Sequence, residues 1–277
     1  EPLNRANANL QPANAGVHQR PGVSSSLNPK SVLQSYRYIT LEAAMEEILR
    51  SGFAGLGLEL DDEALRRFRR YYEYLTERNR VMNLTSIEGE EDTARLHFLD
   101  CCALLTAADF AGKRVIDVGS GAGFPGIPLK IAESTISLTL LDSLAKRTGF
   151  LASAAELLGL EDVQVVCARA EEAPRALREG FDIAVSRAVA RLNVLCELCL
   201  PFVRPGGLFI AMKGPDFAAE ISEARHAIGL LGGGDVRAVP YSVPGTELSH
   251  AAVVIEKAAP TPDAYPRRWA KISKKPL

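Results

Sequence analysis

A short apolar run, Val115-Ile116-Asp117-Val118, breaks into Gly119-Ser120-Gly121-Ala122-Gly123-Phe124-Pro125-Gly126. Glycine permits positive φ and lets backbone come close to a ligand. An acid at a strand end followed by Gly119-x-Gly121-x-Gly123 therefore marks a ligand loop at the carboxyl edge of a sheet, where doubly wound folds bind their cofactors. Asp142 ends the next apolar run, and a carboxylate there can accept hydrogen bonds from both hydroxyls of a ribose. Together Asp117, Gly119, Gly121 and Asp142 point to a cofactor that contains adenosine. A glycine turn with no ligand would leave Asp142 without a reason.

Glycine spacing separates two such cofactors. The dinucleotide fingerprint G-x-G-x-x-G places its third glycine where this chain has Phe124. Phe124 and Pro125 would crowd a pyrophosphate seeking a helix N-terminus, whereas a cofactor without phosphates tolerates an apolar wall. The loop reads as a site for S-adenosylmethionine, and the chain as a methyltransferase rather than a dehydrogenase.

The elements that must position this loop follow from the pattern along the chain. Short apolar runs alternate with helical stretches after Gly112: Arg114 to Val118, Leu138 to Leu141, Val163 to Cys167, Asp182 to Val185 and Leu208 to Met212. Strands separated by helices imply right-handed crossovers and a mainly parallel, doubly wound sheet. Two further runs, Asp235 to Val243 and Ala251 to Glu256, have no helix between them and predict an antiparallel hairpin at one edge, for seven strands in all. The expected fold is α/β, of the Rossmann-like class I methyltransferase type, with its core over residues 112–257.

A helical extension over residues 40–111 precedes the core. Leu65, Phe68, Tyr72 and Leu75 recur at helical steps after the capping pair Asp61-Asp62. Arg66, Arg67, Arg69 and Arg70 occupy other positions of that helix, either as a solvated face or as contacts for a polyanion. Residues 1–39, rich in Asn, Pro, Ser and Gly, are expected to be disordered or tag-like. Residues 258–277 form a basic, proline-containing tail.

At 277 residues the chain is long enough to bury a full core, and 47% hydrophobic with 24% charged residues is an ordinary soluble balance. No apolar run approaches the roughly 18 to 20 residues of a membrane span, so no membrane is expected and a cytoplasmic location is the default. A net charge of -2 gives no global pull on nucleic acid, so such a partner needs local basic patches. The five cysteines (Cys101, Cys102, Cys167, Cys196, Cys199) suit reduced thiols. Cys196 and Cys199 form a C-x-x-C inside a buried helical pattern with no second pair and scattered histidines, so core packing is expected and no metal.

Four linked motifs carry a resemblance: Asp117 to Leu129, Leu141-Asp142-Ser143-Leu144-Ala145-Lys146-Arg147, Ser186-Arg187-Ala188-Val189-Ala190 and Met212-Lys213-Gly214. With Asn83-Leu84-Thr85 and His97-Phe98-Leu99-Asp100 upstream, they resemble the RsmG (GidB) family, bacterial enzymes that methylate N7 of a guanine in 16S ribosomal RNA. The resemblance runs from about Leu60 to the C-terminus. It implies cofactor contacts from Gly119 and Phe124, from Ala170 and Glu171 after the third strand, and from Arg187 after the fourth. Arg187 could pair with the methionine carboxylate or with an RNA phosphate through its fork; without the family, Glu171 and Arg187 could equally form ion pairs. The resemblance also implies the small ribosomal subunit or its 16S RNA as partner, with no oligomer required. In the tail, Ala270 and Ile272 stand where many members carry Gly and Pro, while Arg267, Arg268, Lys271, Lys274 and Lys275 keep the basic content that could meet phosphates.

Guanine N7 carries an in-plane lone pair, so no catalytic base is required and positioning is the main task. Ser186-Arg187-Ala188-Val189 stands where amine methyltransferases carry an Asn or Asp-Pro-Pro-aromatic segment, and no Pro-Cys supplies a nucleophile for pyrimidine C5. Arg187 and Lys213, at strand ends on the cofactor side, are the positioning candidates toward guanine O6 or a phosphate, with Lys213 equally readable as an exposed lysine. N7 lies in the deep, narrow groove of A-form RNA, so a loop or a splayed base is the expected target. A small-molecule methyltransferase and a non-catalytic cofactor sensor are the competing readings.

Overall fold

The computed structural model describes residues 44–187 and 190–277. The expectation for residues 1–39 lies outside the described residues, as do Ala188 and Val189 of the fourth-strand motif. Seven strands form one sheet: β1 (Arg114–Val118), β2 (Ser137–Asp142), β3 (Val163–Cys167), β4 (Phe181–Arg187), β5 (Val203–Lys213), β6 (Gly233–Ser242) and β7 (Ser249–Lys257). Their order is β3-β2-β1-β4-β5-β7-β6. The first five run parallel. The final hairpin turns back so that β7 lies antiparallel between β5 and β6.

Alternation along the central strands builds two cores, one per face. Val115, Ile183, Val185, Ile210 and Met212 point into one cluster, while Ile116, Ala184, Phe209 and Ala211 point into the other. Successive side chains of a strand face opposite ways, so central strands covered on both faces need apolar residues at nearly every position.

The first face is covered by α1 (44–55), α2 (Asp62–Met82), α5 (Gly126–Ala132) and α6 (Ala145–Leu157), with a bent helical segment between α2 and β1. That segment runs from α3 (Glu90–Thr93) through a π-helical stretch, Ala94–Leu99, into α4 (Asp100–Cys102). The second face carries α7 (Leu192–Cys199), α8 (Phe217–Leu230) and α9 (Trp269–Lys274). Among the described residues no helix is long and apolar enough to cross a membrane.

The cap of α2 is Asp61, whose carboxylate accepts from the Ala64 amide at 2.7 Å and satisfies one of the free first-turn donors. Its buried stripe runs Leu65, Phe68, Tyr71, Leu75, with Tyr71 where the sequence pattern favoured Tyr72. Both tyrosines lie at helical steps of three or four from Phe68 and Leu75. The choice is tertiary, because Tyr71 meets the rings of Phe98 and Phe124 at centroid distances of 5.6 and 5.7 Å. Elsewhere on α2, Arg66 and Arg67 pair with Glu63 within the helix, and Arg69 pairs with Glu90 at 2.7 Å. Cys196 and Cys199 are buried in α7, where desolvation pushes both thiols up.

The basic tail is folded against the second face. Ile272 is fully buried, and Arg178 donates to the carbonyls of Thr261 and Tyr265. The Asn193 amide reaches the terminal Leu277.

Candidate active site

The glycine loop closes on itself and on the neighbouring strand. Amides of Gly119 and Ser120 both donate to the Leu141 carbonyl, at 2.8 and 3.1 Å, while Gly123 and Phe124 donate back to Ser120. Gly119, Gly121 and Gly123 all have positive φ. A side chain at Gly123 would strike Ile127 and the Tyr71 hydroxyl, and one at Gly126 would strike Leu140 and Asp117. The Tyr71 hydroxyl donates to the Ala122 carbonyl, so α2 pins the loop from below.

Asp117 lies under this loop, fully buried. One carboxylate oxygen accepts from the Gly126 amide at 2.9 Å, and the other has no partner. Burial pushes its carboxyl up to about 7, against the lowering effect of the Gly126 amide. Asp142, also buried, accepts from the Gly121 amide at 3.0 Å and the Leu144 amide at 2.9 Å through separate oxygens. Each oxygen keeps a lone pair for a further donor.

Above the loop is a cavity of about 480 Å³. Gly119, Gly121, Phe124, Asp142, Ala170, Glu171 and Arg187 all line it, so all but one of the residues read from sequence as cofactor contacts meet at one opening. Asp117 is the exception; it supports the loop from beneath. Glu171 is held by Arg169 at 2.5 Å, and the Arg169 guanidinium lies 5.2 Å from the Trp269 ring centroid. Trp269, the chain's one tryptophan, thus brings α9 to the cavity rim.

The helical extension supplies the other wall. His97, in the π-helical stretch, stacks on Phe124 with centroids 4.1 Å apart. Burial and the neighbouring Arg187 hold the imidazole down to about 3, so it is neutral. Arg187 Nη2 approaches His97 Nδ1 at 2.9 Å, and Nη1 donates to the Leu96 carbonyl at 3.1 Å and Asp100 Oδ2 at 3.2 Å. The guanidinium also sits 4.8 Å from the Phe124 ring centroid. Asp100 further accepts from Tyr241 at 3.0 Å and pairs with His250 at 2.8 Å. A π-helical turn is a frequent mark of a functional site because its extra residue re-aims side chains.

Two sequence expectations need correction. Lys213 does not face the cavity: its ammonium lies 2.7 Å from Glu220 of α8 and donates to the Ala190 carbonyl at 2.8 Å. Arg267 is not a free cation, because it forms a buried two-pronged pair with Glu197 at 2.7 and 2.6 Å. Each cation neutralises a carboxylate that desolvation would otherwise penalise. Arg268, Lys271, Lys274 and Lys275 are exposed.

The family model described as "GidB: rRNA small subunit methyltransferase G" matches residues 64–244. The chain belongs to the GidB family. The Ribosomal RNA small subunit methyltransferase G of Clostridium perfringens (strain 13 / Type A) is 41% identical over 234 residues, covering 83% of this chain and 98% of the relative. The protein of the same name from Alkaliphilus metalliredigens (strain QYMF) is 46% identical over 233 residues, with the same coverage. Among solved structures, a SAM dependent methyltransferase from Aquifex aeolicus aligns at TM-score 0.45 and 16% identity over 59% of this chain and 92% of that one.

As a member of the GidB family the chain is a methyltransferase, and its cofactor is S-adenosylmethionine. The residues present fit that molecule. Asp142 offers two acceptor oxygens for ribose hydroxyls, the loop approaches without side chains at Gly119 and Gly121, and Phe124 gives an apolar wall where a pyrophosphate would be crowded. Thr85, His97, Asp100, Tyr71 and Trp269 form or support the walls of the cavity without having been singled out from sequence. The first three lie in the two motifs upstream of β1, and the lone tryptophan in a basic tail was the available signal for Trp269.

Proposed function

We propose that the protein transfers the methyl group of S-adenosylmethionine to N7 of a guanine in 16S ribosomal RNA, acting in the cytoplasm on the small ribosomal subunit or its RNA. The observation that carries N7 is the state of His97. It is the imidazole lining the cavity, burial and the neighbouring Arg187 hold its basicity down to about 3, and both its nitrogens are engaged by Arg187 and Thr85. It therefore cannot take a proton from an exocyclic amine, whereas N7 attacks through a lone pair with no proton to lose.

The bound cofactor supplies an electrophilic methyl group on a sulfonium. The protein's share is alignment. In this reading Asp142 holds the ribose, Ala170 and Glu171 border the adenine, and Gly119, Gly121 and Phe124 shape the floor. Asp117 keeps the loop in place through Gly126. Arg187, already bound to Asp100, His97 and Leu96, acts as a fixed cation beside Phe124 with N–H groups left over. A carboxylate of the cofactor or an RNA phosphate would meet that charge. Exposed Arg268, Lys274 and Lys275 lie at the two ends of α9, whose first residue, Trp269, reaches the rim, and they suit backbone phosphates, with Arg267 anchoring their helix rather than contacting RNA.

Purified protein and labelled S-adenosylmethionine offered to 30S subunits, naked 16S RNA and tRNA test this reading. Label is expected on small-subunit RNA. Label confined to tRNA, or to none of the three, would overturn it.

A further inference from the structure

Thr85 stands where two cavities meet. It lines the opening above the glycine loop, and it also lines a second cavity of about 850 Å³ bordered by Leu75, Asn79, Asn83, Ile87 and Thr93. Its backbone is clamped, because Asn79 accepts from the amides of Leu84 and Thr85 and donates to the Thr85 carbonyl. The side chain is fixed as well. Its oxygen accepts from the Ile87 amide at 3.0 Å and lies 2.8 Å from His97 Nε2.

The direction of the second bond follows from the groups behind it. Arg187 has only protons to give, so His97 Nδ1 must accept from Nη2. A neutral imidazole that accepts at Nδ1 carries its proton on Nε2, and that proton goes to Thr85. Asp100 anchors the other end by accepting from Arg187. From Asp100 through Arg187 and His97 to Thr85, each group's role as donor or acceptor is therefore set by its neighbour. Both lone pairs of the Thr85 oxygen are occupied. The hydroxyl proton is its remaining hydrogen-bonding valence, so toward any ligand in either cavity Thr85 can only donate.

We infer that Thr85 selects the acceptor base, donating its hydroxyl proton to the O6 carbonyl that adjoins N7 in guanine and finding no acceptor at the corresponding position of adenine. Adenine keeps N7 but carries an amino group at the neighbouring carbon. Two donors would face each other, and a site built to bond one group rejects an analogue lacking it. This rests on the reading that guanine N7 is methylated. It adds the residue that tells guanine from adenine, and it places the base on the Thr85 side of the cofactor cavity.

Three proteins decide it: wild type, Thr85→Ser and Thr85→Val, each measured for kcat, KM, cofactor affinity by calorimetry, and thermal stability. The substrates are 30S subunits with the mapped guanine and subunits reconstituted with adenine there. Thr85→Val is expected to lose roughly tenfold to hundredfold in kcat/KM on guanine, and to lose a similar factor of guanine preference. Its cofactor affinity should not change. Thr85→Ser, which keeps the donor, should restore both rate and preference. Unchanged rate and preference in Thr85→Val overturn the inference. So does a loss that follows cofactor affinity, which assigns the hydroxyl to the cofactor, or a loss of stability without loss of preference, which makes Thr85 structural. A wild-type protein that labels no guanine overturns the N7 reading itself, together with this inference.

Discussion

The two walls of the cavity are built on different principles. The sheet-edge wall, from Gly119 to Gly126 with Asp142, is shaped by backbone: glycines turn the chain, amides close on Leu141 and Ser120, and one carboxylate oxygen of Asp117 is left bare. The helical wall is shaped by side chains, with Asp100, Arg187, His97 and Thr85 linked in a single series. Backbone suits a cofactor recognised by shape and a ribose. Side chains with fixed donor and acceptor roles suit a partner that must be distinguished by where it carries its own.

The largest expected effect breaks the helical wall. Asp100→Ala removes the partner of a buried guanidinium and of Tyr241 and His250 together. Denaturant unfolding should register a loss of roughly 3–5 kcal/mol. A loss below about 1 kcal/mol, the scale of an exposed pair, would show that the series does not hold that wall.

The sheet-edge wall has its own signature in pH. The Asp117 carboxyl is raised in the folded state to about 7 from 3.8. Its contribution to stability is therefore complete below the unfolded value and is lost as pH rises through about 7. Between pH 5 and pH 8 the wild type should lose roughly 2–3 kcal/mol relative to Asp117→Asn, which stays neutral and keeps an acceptor for Gly126. Parallel stability curves for the two proteins would contradict the assignment.

Asp142→Ala sharpens the contrast from the ligand's side. Calorimetry should show cofactor affinity reduced roughly tenfold to hundredfold, the scale of hydrogen bonds to a charged acceptor. Unchanged affinity would put the ribose elsewhere. The smallest effect belongs to the rim: Lys274→Ala with Lys275→Ala should weaken RNA binding uniformly and lower the salt slope by roughly one for each phosphate that is no longer neutralised. An unaltered slope would remove α9 from the RNA surface.

The same contrast explains what could be read from sequence. The sheet-edge wall was legible because its signals are local: apolar runs end in Asp117 and Asp142, and Phe124 replaces a glycine within one loop. All seven strands and the antiparallel hairpin were legible for the same reason, though not the placing of β7 inside β6. Long-range partners were not. Lys213 looks free until α8 brings Glu220 beside it, and Arg267 until the tail folds back on Glu197. Tyr71 and Tyr72 fit one helical stripe equally until Phe98 and Phe124 choose between them. Thr85 and His97 gain meaning only when Arg187, from the fourth strand, reaches the π-helical stretch.

The measurement that tests the central claim most directly is the position of the transferred methyl group. 30S subunits labelled by the wild-type protein are cleaved chemically at 7-methylguanosine, and the digested nucleosides are identified by mass spectrometry. The account predicts cleavage at one guanine of 16S RNA, with all label recovered as 7-methylguanosine. Label on an exocyclic amine, a pyrimidine carbon or a ribose would contradict it, because each of those acceptors has a proton to lose and both nitrogens of the cavity's imidazole are engaged.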